Sequence, residues 1–80
     1  MLVLLLKMPI YMQKKRINRL KAILAEKGKT NKWLAKELGI NETTVSRWCT
    51  NETQPRLNRL VKISELLNVD IGEMFLKEST

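Results

Sequence analysis

Residues 30–51, TNKWLAKELGINETTVSRWCTN, decide the fold. Leu34, Ala35 and Leu38 recur at helical spacing on one face of a first short helix, and Val45 and Trp48 do the same on a second. Gly39 stands one residue past Leu38, where a helix end needs a residue that tolerates the left-handed backbone. Asn41 can then cap a new helix almost at once. So short a connection forces the two helices to cross steeply, and the small Ala35 lets their backbones approach. With Val45 and Trp48 turned inward, the helical period turns Glu42, Thr43, Ser46 and Arg47 outward.

Such a pair is a helix-turn-helix, the arrangement that lays its second helix in a DNA major groove. Apolar stripes at this spacing also suit an unrelated helical hairpin, so the flanking sequence has to choose. It reads INRLKAILAEKGKT over 17–30, NKWLAKELGI over 31–40, NETTVSRW over 41–48 and QPRLNRLVKISELLNVDIGEMF over 54–75. In that order the segments resemble the phage-repressor-like (Cro/XRE) helix-turn-helix family. The resemblance implies an all-α, compact five-helix, lambda-repressor-like domain over residues 13–76. It also implies binding of operator-like double-stranded DNA, usually as a homodimer.

Composition agrees with that reading and narrows the alternatives. Eighty residues allow one small domain and one core. No stretch approaches the roughly 20 apolar residues of a membrane-spanning helix. LVLLL at residues 2–6 is too short for a secretory signal and lacks a basic segment before it. A single cysteine forms no internal disulfide, which suits a reducing cytoplasm. Without histidine, the usual metal sites and imidazole catalysis are excluded, and no cofactor is implied. An enzyme has almost nothing to stand on.

The net charge of +7 is unevenly spread. Residues 1–30 carry eight Lys/Arg against Glu26 alone, whereas residues 31–55 and 56–80 are each balanced. A concentrated basic end favours a polyanion, because neutralising phosphates releases condensed counterions. A solvated basic face without a partner accounts for the charge alone equally well. Membrane-surface binding is the weaker reading, since the apolar helix face is needed for a core.

The outer segments are less regular. Residues 1–12, MLVLLLKMPIYM, fall outside the family pattern and read as an apolar arm, a dimer contact or translated upstream sequence. The first helix is expected from about Gln13 to Lys27, with Ile17, Leu20, Ile23 and Leu24 as its apolar stripe and Gly28 as its stop. Thr30 is the expected cap of the next helix, but Trp33 replaces the glutamate that would complete a capping box. Asn51 stands where the family often has glycine, as the next best left-handed residue. Pro55 opens a fourth helix buried through Leu57, Leu60, Val61, Ile63, Ser64 and Leu67, and Asn68 ends it. Arg56 occupies the family's frequent Ser/Thr cap. Asp70 and Glu73 are expected to form a capping box for a last helix, with Val69 stapled onto Met74, and residues 77–80 should fray.

The resemblance assigns base reading to Glu42, Thr43 and Arg47, with Asn41, Thr44 and Ser46 beside them. Arginine can pair with guanine, glutamate can accept from cytosine, and a threonine methyl can touch thymine. Glu42 departs from the glutamine or arginine common there, and is tolerable only facing a base edge or paired with Arg47. Asn31 on one side and Thr53, Gln54 and Arg56 on the other match phosphate-gripping positions. Lys14, Lys15 and Arg16 could add a basic arm. Met74, Phe75 and Leu76 are the expected dimer contact. The function implied is a sequence-specific transcriptional regulator, more readily a repressor because a bare domain has no evident activating surface. An antitoxin-type module that neutralises a partner protein is the alternative, and RNA binding lacks a stacking platform.

One paired departure is physically telling. Family members often carry an arginine four residues before the first helix's glycine and a glutamate after the recognition helix's last core residue, joined as a buried ion pair. Leu24 and Cys49 stand at those places, so both charges are absent together. Replacing a whole buried ion pair by packed apolar groups is often neutral or stabilising. Cys49 is therefore expected in the core, in contact with Leu24. Because every family feature begins after residue 11, a chain starting at Met12 should keep its melting temperature and its DNA affinity. A large loss of either would assign residues 1–11 to the core or the dimer.

Overall fold

Helix α1 starts later than its apolar spacing suggests. The computed structural model describes residues 16–76, and α1 there spans Leu20–Glu26. Residues 1–12, Lys14, Lys15 and the tail 77–80 lie outside the described residues, as does the expected helix start at Gln13. Ile17 belongs to no helical stripe: it is 44% exposed, and its carbonyl accepts from the Leu76 N–H at 2.8 Å. Asn18 forms an antiparallel bridge with Phe75, and the Arg19 N–H donates to the Met74 carbonyl at 2.7 Å. The main chain of 17–19 is thus committed to the other end of the domain. Asn18 Oδ1 also accepts from the Leu20 N–H at 3.0 Å, the kind of local side-chain bond that competes with a helix and marks its start.

The middle of the chain follows its local signals. Gly28 takes a left-handed φ of +67° after α1. Thr30 then caps α2, Asn31–Leu38, by accepting from the Trp33 N–H at 3.0 Å. Gly39 at φ +68° ends α2, and the Ile40 N–H reaches back to the Ala35 carbonyl at 3.0 Å. Asn41 caps α3, Glu42–Cys49, by accepting from the Thr44 N–H at 2.9 Å. Every helix end in this stretch is satisfied by a residue chosen for it. Trp33 is half-buried against the core, with the Lys29 ammonium 4.8 Å from its ring centre.

Helix α4, Leu57–Leu67, buries Leu60, Ile63, Ser64 and Leu67, and Asn68 stops it at φ +55°. Two residues expected on that face are outside: Leu57 is 68% exposed and Val61 43%. Val61 sits about a quarter-turn of the helical wheel from Leu60, and Leu57 lies in the first turn, beyond the edge of what α4 packs against. Arg56 precedes α4 without a side-chain cap bond.

The expected fifth helix is a single 3₁₀ turn, Ile71–Met74. The capping box does not form: Asp70 makes no side-chain cap bond, and the Glu73 N–H goes instead to the Asp70 carbonyl at 2.9 Å. In a 3₁₀ turn the residue-73 N–H closes a bond to the carbonyl three residues back, so it is not left for the Asp70 side chain. Met74, expected at the dimer contact, is wholly buried in its own core. Phe75 and Leu76 remain exposed beside the Ile17–Leu76 pairing.

The described residues therefore form an all-α domain of four helices and a 3₁₀ turn around one core. That core runs from Leu20, Ile23 and Leu24 through Leu34, Ala35, Val45, Trp48 and Cys49 to Leu60, Ile63, Leu67 and Met74. Leu24 and Cys49 both lie in it, 3% and 5% exposed, and α1 packs on α3. The closest-knit pair of elements is α2 and α3.

A polar clasp joins the start of the domain to the loop after α3. Asn51, at φ +62°, accepts at one oxygen from the Ile17 N–H, the Asn18 N–H and Gln54 Nε2 at 2.8, 2.9 and 3.0 Å. Its amide donates to the Asn18 carbonyl at 3.2 Å. The buried Asn18 amide donates in turn to the Trp48 carbonyl at 2.9 Å and to Gln54 Oε1 at 2.7 Å. Asn51→Ala should lower stability by about 1–3 kcal/mol, because the part-buried N–H and carbonyl of Asn18 lose their bonds and a left-handed residue gains no relief. Asn51→Gly relaxes the backbone but leaves the same partners empty, so urea unfolding should show a loss there too. A neutral or stabilised glycine variant would reduce Asn51 to a mere left-handed residue.

Candidate nucleic-acid interface

Helix α3 has two unlike sides. Val45, Trp48 and Cys49 are buried, whereas Glu42, Thr43 and Arg47 are exposed and Thr44 and Ser46 are half-buried between them. The exposed side is polar throughout, and the helix N-terminus beside it is capped by Asn41, whose oxygen also accepts from the Thr44 hydroxyl at 3.1 Å. An array of this kind offers donors and acceptors to base edges and a positive helix end to anions.

The flanking residues are held by bonds that local sequence does not announce. The Cys49 thiol donates to Asn31 Oδ1 at 3.3 Å, fixing the start of α2 against the end of α3. With its oxygen engaged, Asn31 has its amide donor for any outside acceptor. Beyond α3, the Arg47 carbonyl accepts from the Glu52 N–H at 2.9 Å, the Thr53 N–H at 3.3 Å and the Thr50 hydroxyl at 3.2 Å. The loop is thus gathered onto the last turn of α3. Thr53, Gln54 and Arg56 are exposed there, and the Gln54 side chain also bonds Asn18 and Asn51. Arg16 is exposed at the start of the described chain.

Arg47 is paired, but with Glu52: its Nε lies 3.8 Å from a Glu52 carboxylate oxygen, with both side chains more than half exposed. Among the described residues no ion pair joins Arg47 to Glu42. An exposed pair at that length adds little stability in water.

Asn18 and Asn51 are the residues that sequence reading missed as a unit. Asn51 was legible as a left-handed position, yet its side-chain role was not. The signal available was Asn18 itself, a poor helix-interior residue set among apolar and basic neighbours and well suited to side-chain–backbone bonds.

A helix-turn-helix family model matches residues 20–74. The chain belongs to the helix-turn-helix family. Its branch is the Cro/C1 type, and the chain is a DNA-binding regulator at that level of description. It is also similar to the crystal structure of "a putative DNA-binding protein from Bacteroides fragilis". The two share 53% identity over 75% of this chain and 97% of that one, with a TM-score of 0.74. No curated protein matches. In this helix-turn-helix domain α2 and α3 are the two motif helices, and no described helix is long and apolar enough to cross a membrane.

Cys49 departs from ordinary cysteine behaviour in the direction its surroundings dictate. Burial pushes its thiol pKa up, and the nearby positive charge of Lys21 offsets this in part. The neutral thiol's contribution to stability is therefore complete below the pKa of the unfolded chain and is lost as pH rises through the folded value. Near pH 8, iodoacetamide should label native Cys49 on the order of tenfold more slowly than the urea-unfolded chain, since the thiolate is the nucleophile. Equal rates in the two states would show that the thiol is neither buried nor raised.

Proposed function

We propose that this helix-turn-helix protein is a sequence-specific transcriptional repressor that lays α3 in the major groove of its operator. The observation that carries the reading is the exposed polar side of α3, set on a helix whose other side is locked into the core. On this reading Glu42, Thr43 and Arg47 meet base edges, with Asn41, Thr44 and Ser46 at the margin between bases and backbone. Arg47 is the strongest reader, since a guanidinium can pair with the O6 and N7 acceptors of guanine. Glu42 accepts from a cytosine amine, which recovers part of what its charge loses to phosphate repulsion.

Affinity comes from the flanks. Asn31 and the free N–H groups at the start of α2 take one phosphate run, and Thr53 and Arg56 take the other. Gln54, exposed and bonded to Asn18 and Asn51, keeps a second amide N–H for the same phosphates. Arg16, with Lys14 and Lys15, supplies charge to the neighbouring backbone. Two subunits pair across a two-fold axis through Phe75 and Leu76, setting their α3 helices about 34 Å apart on a palindromic site.

The test is a selection of bound duplexes from a random pool, followed by titration of the preferred duplex and a scrambled one. Arg47→Ala should weaken the preferred duplex by about 1–3 kcal/mol and relax the choice at one base pair, with little effect on the scrambled duplex. Equal weakening on both would assign Arg47 to phosphate. Sedimentation of the preferred complex should give two chains per palindromic site, and a single chain per full site would defeat the dimer.

A further inference from the structure

The mechanism just proposed gives Glu52 no part, although it is an acidic residue on a surface meant for phosphates. A carboxylate there repels DNA, and nothing in the core requires it: the Glu52 side chain is more than half exposed. Its backbone is nevertheless anchored. The Glu52 N–H is bonded to the Arg47 carbonyl at 2.9 Å, and the preceding residue, Asn51, is held by the clasp to Ile17 and Asn18. From that anchored backbone the carboxylate reaches Nε of Arg47 at 3.8 Å.

The atom it approaches matters. A guanidinium can meet guanine through its outer edge, Nη1 with Nη2, or through its side edge, which includes Nε. With a carboxylate beside Nε, the side edge is screened and the outer edge is left for the base. An arginine free of such a partner samples many rotamers, and some of them reach a phosphate instead. Resting on the DNA-reading role proposed above, we infer that Glu52 is a positioning residue for specificity. It holds the Arg47 guanidinium end-on for a guanine and discourages its use on the phosphate backbone. The charge that costs general affinity thereby contributes discrimination.

Glu52→Gln tests this, because the backbone bonds of residue 52 survive and only the charge is lost. Affinities are measured for the wild type, Glu52→Gln, Arg47→Ala and the double variant. Each is titrated with the duplex selected from the random pool, with the same duplex changed at the base pair that Arg47 reads, and with a scrambled duplex. Glu52→Gln is expected to bind the scrambled duplex several-fold more tightly at low salt, as removal of one repulsive charge requires. Its preference at the Arg47 base pair should fall about fivefold, within the range that one charged neighbour commonly contributes. In the Arg47→Ala background the same change should leave that preference where it was.

An unchanged preference in Glu52→Gln would overturn the inference. So would equal weakening on all three duplexes together with a lower melting temperature, which would make Glu52 a loop-holding residue only. If the wild type itself shows no preference among duplexes, the DNA-reading role fails first and this one falls with it. As a second readout without DNA, the Arg47 Nε–H resonance should move in Glu52→Gln. A resonance indifferent to that substitution would also count against the pairing.

Discussion

The oxygen of one asparagine side chain ties the start of this domain to the loop that follows α3. Asn51 Oδ1 draws in the backbone N–H groups of residues 17 and 18, while Asn18 reaches the Trp48 carbonyl at the end of α3. A small domain with a single core has few ways to fix a helix along its own axis, because apolar packing is not directional. Hydrogen bonds are directional, and those of Asn18 are buried or partly buried, so leaving one of them unmade is costly. The clasp therefore sets where α3 ends and where its outgoing loop begins. Everything offered to a partner from that region, from Arg47 to Arg56, inherits its position from this arrangement.

The two sides of α3 are anchored by different chemistry. At its start, Asn41 caps the helix and Gly39 turns the chain, so the approach from α2 is set by local backbone preference. At its end, the thiol of Cys49 binds Asn31 and the Arg47 carbonyl collects three donors. Val45 and Trp48 seal the inward side between them. A helix held at both ends and along one face presents its remaining side chains from a fixed backbone. That fixity is what reading a groove asks for, since ordering a mobile surface on binding would subtract from the affinity.

How much of this could be read from the sequence depended on the range of the interaction. Thr30, Gly39 and Asn41 act on residues within one turn, and their roles were legible from spacing alone. Asn68 and the left-handed backbone of Asn51 were legible for the same reason. The start of α1 was not: Ile17 has helical spacing to Leu20 and Leu24, but its backbone is taken by Leu76 and Asn51, far away in the chain. The Asp70–Glu73 pattern had the letters of a capping box, yet only four residues follow Asp70 in the 3₁₀ turn. Leu57 and Val61 were apolar at plausible positions, and no local rule says where the neighbouring surface stops. The paired absence of charge at Leu24 and Cys49 was informative because it concerned two residues at once, and both lie in the core.

The central claim is that the exposed side of α3 meets duplex DNA. The most direct measurement is amide chemical-shift mapping of the labelled protein titrated with a duplex selected from a random pool. The largest changes are expected at Asn31, along Asn41–Arg47 and at Thr53–Arg56, with the outward side of α4 around Leu57 and Val61 nearly still. Changes concentrated at Leu57 and Val61, with α3 unmoved, would contradict it.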